Sequence, residues 1–234
     1  MANGIGDETV WLCPTLDQTN PYDDLSSEGN NGTKVGSVSV VSSTGSGGTH
    51  AFEFPNFGSY NEYVSFSSIG VTNADSYTCS MWIKAQDTGG SQVMFYGGQS
   101  SGNRFMNCQG TVYDMFQVGV NTDALETGEM ADDTWQHVLF TYDRSNSGHT
   151  ELWLDGYQES DTKDAGTNSY GNSWLYLGRY GYEGLIDDFR CFDRVLTSSE
   201  IALLASERGY EAAATSLYDP FTNSHFNEAA GHIR

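Results

Sequence analysis

Glu151-Leu152-Trp153-Leu154-Asp155-Gly156-Tyr157 decides the architecture of this chain. In an extended strand successive side chains point to opposite faces, so Leu152 and Leu154 share one face and Trp153 takes the other. Asp155-Gly156 then falls between Leu154 and Tyr157. A two-residue type I′ turn needs φ > 0 at both central positions, and this pair tolerates that, so the stretch reads as a strand entering a hairpin. Working outward, short alternating runs broken by Gly, Asn, Asp and Ser recur at 10–13, 34–41, 51–54, 63–66, 77–84, 92–96, 111–120, 134–142, 150–154, 174–177 and 184–192. About eleven such runs with turn residues between them predict an all-β, two-sheet antiparallel sandwich rather than alternating strands and helices. One segment departs from this period. Thr197-Ser198-Ser199-Glu200 has the form of a capping box, Ile201, Leu204 and Ala205 make an apolar stripe, and Gly209 supplies a stop. It predicts one short C-terminal helix against the sandwich edge.

Composition excludes several classes of function. Ten Lys+Arg against 31 Asp+Glu give a net charge of −21 over 234 residues. Such a chain repels phosphate backbones and anionic lipid, so no nucleic-acid partner is expected. No run of 18 apolar residues occurs, so no membrane insertion is expected either. Aromatics at 13% supply large side chains to bury, which disordered acidic chains lack. The first residues have neither a basic nor an apolar export segment, which predicts no signal peptide. Cys13, Cys79, Cys108 and Cys191 lie far apart, outside any zinc spacing, and read as buried thiols with one disulfide left open. Residues 1–209 read as one domain. Residues 210–234 change character, with three alanines, Pro220, and irregularly spaced Tyr218, Phe221 and Phe226. They read as an arm that docks on a second copy or another structural subunit.

Five stretches, in order, resemble a known family. They are the loop from Asp24 to Thr33, the strand Ala51-Phe52-Glu53-Phe54, and Tyr77-Thr78-Cys79-Ser80-Met81-Trp82-Ile83-Lys84. Next come Asp133-Thr134-Trp135-Gln136-His137-Val138 with Glu151 to Gly156, and finally Gly184 to Arg190 running into Val195-Leu196-Thr197 and Glu200-Ile201. Together they resemble the laminin-G-like, concanavalin A-type jelly rolls found in bacterial and phage proteins, over residues 10–209. The resemblance implies the fold. It implies little about function, because this fold hosts lectins, hydrolases and structural modules.

Two sites follow. Many members of the resembled family hold a calcium ion between the early loop and an acidic residue of the last strand, which by position implies Asp24, Asn31 and Asp187. Hard oxygens from Asp, Asn and carbonyls suit Ca²⁺, although Ser27 and Glu28 depart from the family's Gly and Asn. Asp187 alternates with Leu185, Phe189 and Cys191, so it is expected toward an apolar face and needs a partner there, a cation or an arginine. The second site is the aromatic stretch Tyr170, Trp174, Tyr176, Tyr180 and Tyr182, where Trp174 and Tyr176 oppose Leu175 and Leu177. Exposed rings there stack on sugar C–H faces or anchor a protein; covered rings are simply core.

Catalysis is not expected. Hydrolases on this fold flank the glycosidic bond with two carboxylates, and the nearest match, Glu151, Asp155 and Glu159, places Asp155 in a turn. The expected role is a non-catalytic structural or adhesion protein, such as a virion-surface decoration, fibre or tail component, acting outside the cell after host lysis and binding glycan or cell surface. A calcium-dependent lectin module of a secreted protein is the alternative, and a laminarinase-type hydrolase a more distant one.

Overall fold

The computed structural model describes residues 5–12, 19–42, 50–56, 58, 60–71, 75–86, 90, 92–100, 103–110, 115–121, 123–167 and 174–206. These contain fifteen strands: β1 (Glu8–Leu12), β2 (Gly32–Val35), β3 (Ser39–Ser42), β4 (His50–Phe54), β5 (Tyr63–Phe66), β6 (Tyr77–Ala85), β7 (Gln92–Ser100) and β8 (Asn103–Gly110), then β9 (Met115–Asn121), β10 (Asp123–Glu129), β11 (Gln136–Asp143), β12 (His149–Leu154), β13 (Tyr157–Asp164), β14 (Trp174–Leu177) and β15 (Gly184–Phe192). One helix, α1 (Ser198–Ser206), follows. The strands form two antiparallel sheets. One runs β13-β12-β11-β6-β15-β4-β3, with β1 also paired to β15; the other runs β10-β9-β8-β7-β14-β5-β2. This is the expected sandwich.

Alternation explains what lies between the sheets. Leu152 and Leu154 join Phe52, Phe54, Met81, Ile83, Val138, Phe140, Ile186 and Phe189 from the first sheet against Val64, Phe66, Met94, Phe95, Phe116 and Leu177 from the second. Trp153 points the other way, into a separate cluster with Leu139 and Phe192 that Leu196, Ile201 and Leu204 cover. The helix therefore covers the part of the first sheet's outer face around Trp153. Its capping box forms: the Glu200 N–H donates to Thr197 Oγ1, and Glu200 Oε2 accepts the Thr197 N–H at 2.8 Å. The 155–156 turn has φ +50 and +85, as the type I′ reading requires.

Cys79 and Cys191 face each other across β6 and β15 as free thiols, Sγ to Sγ 3.1 Å, inside the main core. Cys13 lies outside the described residues, as does the side chain of Cys108. The proposed arm, 210–234, also lies outside them. Among the described residues no helix is long and apolar enough to cross a membrane.

Candidate functional site

Side chains on β5 and β14 that point away from the core meet on the outer face of the second sheet. Val64 and Leu177 are core, so their neighbours Tyr63 and Tyr176 face outward, and their rings meet edge-on with centroids 4.7 Å apart. The turn leaving β14, Gly178-Arg179-Tyr180-Gly181, adds two more groups. The Arg179 guanidinium lies 4.0 Å from the Tyr176 ring centre, 4.7 Å from that of Tyr63 and 4.8 Å from that of Tyr180. Tyr180 in turn meets Tyr96 of β7 and Tyr60, both edge-on at 5.3 and 5.7 Å. Tyr60 is 61% exposed. The result is an arginine faced by three tyrosine rings, within a cluster of five tyrosines drawn from three stretches of the sequence, 60–63, 96 and 176–180.

Backbone strain holds this turn. Gly178 and Gly181 adopt φ +75 and +88, and Tyr180 between them adopts φ +59. A bulky residue in the left-handed region costs on the order of 1–3 kcal/mol and persists only where its surroundings fix it. Here the fixing contacts are the Gly178 N–H donating to the Met94 carbonyl at 2.7 Å and the ring contacts of Tyr180 itself.

The aromatic stretch read from the sequence is thus divided. Tyr176 and Tyr180 belong to the cluster. Tyr182 does not: it is 2% exposed, packs edge-on against Phe54 and donates its hydroxyl to the Leu185 carbonyl, so it is core. Tyr170 and the side chain of Trp174 lie outside the described residues. Sequence reading missed Arg179, Tyr60, Tyr63 and Tyr96. The available signal was a cation set between glycines and tyrosines in a chain that carries only ten Lys+Arg.

Two of the three oxygen ligands implied for calcium are in direct contact. Asp24 and Asn31 come together, the Asp24 N–H donating to Asn31 Oδ1 at 2.9 Å. Asp24 Oδ1 also accepts the Trp11 and Ser26 N–H groups, and Oδ2 accepts the Ser26 hydroxyl and the Asn30 N–H, all within 2.9 Å. Four hydrogen-bond donors thus surround this carboxylate. Among the described residues no three His, Cys, Asp or Glu gather to hold a metal.

Asp187 stands opposite Trp82 of β6, and its Oδ1 accepts the Asp188 N–H at 2.8 Å. The expectation that it shares a face with Phe189 and Cys191 fails. The β15–β6 register shifts between Asp187 and Arg190, with Asp188 at φ +48, so Phe189 and Cys191 turn to the core while Arg190 pairs outward with Asp188 and Glu8.

Burial, and then the charge of Asp188, pushes the Asp187 carboxyl up to about 8. Burial and the Arg190 charge push His137, which shares a 2.8 Å hydrogen bond with Ser80, down to about 3. The two have opposite linkage. Asp187 is protonated in the fold and ionised when unfolded above its ordinary 3.8, so its contribution is complete below that value and fades as pH rises through about 8. His137 stays neutral in the fold and protonates when unfolded, so its contribution is present above its ordinary 6.5 and fades as pH falls through about 3. Between 3.8 and 6.5 they oppose; above 6.5 only Asp187 acts. Unfolding free energy should therefore drop by about 1–2 kcal/mol from pH 6.5 to 8, at up to about 1.4 kcal/mol per unit for one proton. Asp187→Asn should flatten that decline in urea titrations, and an unchanged slope in the variant would refute the assignment.

The sequence's nearest hydrolase match does not converge. Asp155 Oδ1 accepts the His137 N–H in the turn, Glu151 is engaged by Trp153 Nε1 and His149, and Glu159 lies on the exposed strand β13. A cavity of about 470 Å³ lies at the same, first sheet, lined by groups including Glu53, Lys84, Asp133, Glu183 and Leu185. Its Lys84 is already paired with Asp133 at 2.9 Å, and its Phe54 is fully buried, presenting no ring face.

No curated protein matches the chain in sequence. Among solved structures, the binding domain of botulinum neurotoxin serotype G superposes with TM-score 0.67 at 13% identity, covering 86% of this chain and 51% of that one. The binding domain of botulinum neurotoxin DC, solved with rat synaptotagmin II, gives 0.67 at 14%, covering 87% and 52%. Domain 4 of AbnA, a GH43 extracellular arabinanase from Geobacillus stearothermophilus solved in complex with arabinotriose, gives 0.66 at 17%, covering 85% and 98%. The chain spans about half the length of the toxin domains and nearly all of the arabinanase domain, and at these identities the likeness is one of fold. A family model matches residues 57–202, more than half of the chain, and on that match the protein belongs to the concanavalin A-like lectin/glucanases superfamily.

Proposed function

We propose that this protein is a non-catalytic binding module that engages saccharides through the tyrosine cluster of its second sheet. The supporting observation is the outward tyrosines of β5 and β14 with Tyr60 beside them, since exposed aromatic rings stack on the apolar faces of sugars. The fold-level likeness to a domain solved with arabinotriose favours a glycan over a protein, by analogy only. Tyr176→Ala should weaken glycan binding by about 2 kcal/mol, roughly 30-fold, as expected for a central aromatic anchor. Isothermal titration against saccharides found on a glycan array measures this, and unaltered affinity in the variant would move the site elsewhere. Incubation with β-glucans should release no reducing sugar.

We infer further that the Asp24 loop needs no calcium, since hydrogen-bond donors surround its carboxylate. Melting temperatures in EDTA and in excess calcium should agree; a calcium-dependent rise would restore the cation. Display on a virion or other assembled surface rests on the charge of the chain and on the composition of residues 211–234. It predicts that deleting 211–234 abolishes assembly and spares saccharide binding.

A further inference from the structure

We propose that Arg179 receives an anionic substituent of the bound sugar, so that the tyrosine cluster selects a saccharide carrying one carboxylate or sulfate over its neutral counterpart; this rests on the saccharide reading above. The guanidinium is covered by three tyrosine rings at 4.0–4.8 Å. Its Nε is buried and has no hydrogen-bond partner. No carboxylate pairs with it among the described residues, in a chain where Asp+Glu outnumber Lys+Arg 31 to 10. The contrast with its neighbours is direct. Arg190 is held by Asp188 and Glu8, and Arg194 by Asp7 and Glu200.

A half-covered guanidinium without an anion is incompletely compensated, because ring quadrupoles replace only part of what water or a carboxylate supplies. The planar fork of arginine accepts a carboxylate or sulfate through two parallel N–H donors, and the flanking rings offer the apolar walls that a pyranose or furanose face needs. The strained turn points the same way. Gly178, Tyr180 and Gly181 all sit at positive φ, and together they fix Arg179 among the rings rather than leaving it to reach for the abundant acidic side chains. The net charge of −21 sets the limit on the ligand: a polyanion is repelled over the whole surface, whereas one anionic group on an otherwise neutral glycan meets only the local cation.

The test is an array of matched saccharides in which the same sugar is presented as its uronic acid, as its sulfate ester and in carboxyl-reduced neutral form, with heparin as a polyanionic probe. The full chain should bind an anionic form about tenfold to a hundredfold more tightly than the neutral one, the range expected of a charge-assisted bidentate contact, and should not retain heparin. The carboxylated and sulfated arms show which group it takes. Arg179→Gln should collapse the anionic-to-neutral ratio toward one, and Arg179→Lys, which keeps the charge without the fork, should leave an intermediate ratio. Equal binding of neutral and anionic forms by the unaltered chain overturns this inference and leaves the saccharide reading standing. An array blank for every form overturns both, and retention of heparin overturns the single-anion selectivity.

Discussion

Arg190→Met is expected to destabilise the fold by about 3–5 kcal/mol, the cost of leaving buried charges without their partner. Arg190 is fully buried on β15. Its Nη2 and Nε donate to the two oxygens of Asp188 at 2.9 and 3.0 Å, and Nη1 donates to Glu8 at 3.3 Å. The guanidinium also lies 4.6 Å from the Trp11 ring, whose Nε1 donates to Asp188 at 2.7 Å. Glu8 in turn accepts the N–H groups of Ile5 and Gly6. Methionine fills similar space but strands two carboxylates away from water. For a domain of this size the loss corresponds to a melting temperature lower by on the order of 10 °C. A triple variant, Glu8→Gln, Asp188→Asn and Arg190→Met, should recover part of it, because a neutral cluster no longer holds uncompensated charge. If Arg190→Met alone stays within about 1 kcal/mol of the parent in urea titrations, the network does not anchor β1 to β15.

The second large effect is at Gly178. A Cβ there would lie 2.1 Å from Cε1 of Phe54, a fully buried ring already packed on Tyr182, and the residue holds φ +75. Overpacking and left-handed strain together put Gly178→Ala at about 2–5 kcal/mol. Gly166 separates the two causes. It has φ +71, but a Cβ there meets nothing within 4 Å among the described residues. Gly166→Ala should therefore cost only the backbone share, about 1 kcal/mol. Gly178→Ala should also abolish saccharide binding, because Arg179 and Tyr180 follow directly in the turn. Equal losses at the two glycines would show that Phe54 yields and that overlap is not the cause.

Where alternation was strict, the sequence was sufficient to read. Tyr63–Phe66 and Trp174–Leu177 have the expected bounds, and the hairpin at Asp155-Gly156 pairs Leu154 with Tyr157. Where strands carry little apolar signal it was not. Tyr157–Asp164 reads Tyr-Gln-Glu-Ser-Asp-Thr-Lys-Asp and is mostly exposed, so only its backbone ladder with β12 makes it a strand. The single strand expected at 34–41 divides into β2 and β3, which belong to different sheets. Between them Gly36 takes φ +74 with the Asn61 carbonyl oxygen 2.1 Å from where a Cβ would stand, an approach that only the folded chain reveals. A bulge likewise inverted the expected face of Phe189 relative to Asp187, since one extra residue shifts a period-2 pattern by one. The tyrosine cluster was half legible. Tyr176 and Tyr180 stand close in sequence, whereas Tyr60, Tyr63 and Tyr96 arrive through pairing across β5, β14 and β7.

β15 is the last of the described strands along the chain, yet it lies between β6 and β4 and also receives β1. During synthesis, therefore, β1, β4 and β6 have left the ribosome well before the strand that joins them exists. Until residue 192 emerges, these segments carry open ladder edges and apolar faces, the condition under which nascent chains adhere to one another. Truncations ending before β15 should accordingly collect in inclusion bodies or on chaperones, and in the full chain protease resistance should come late and all at once.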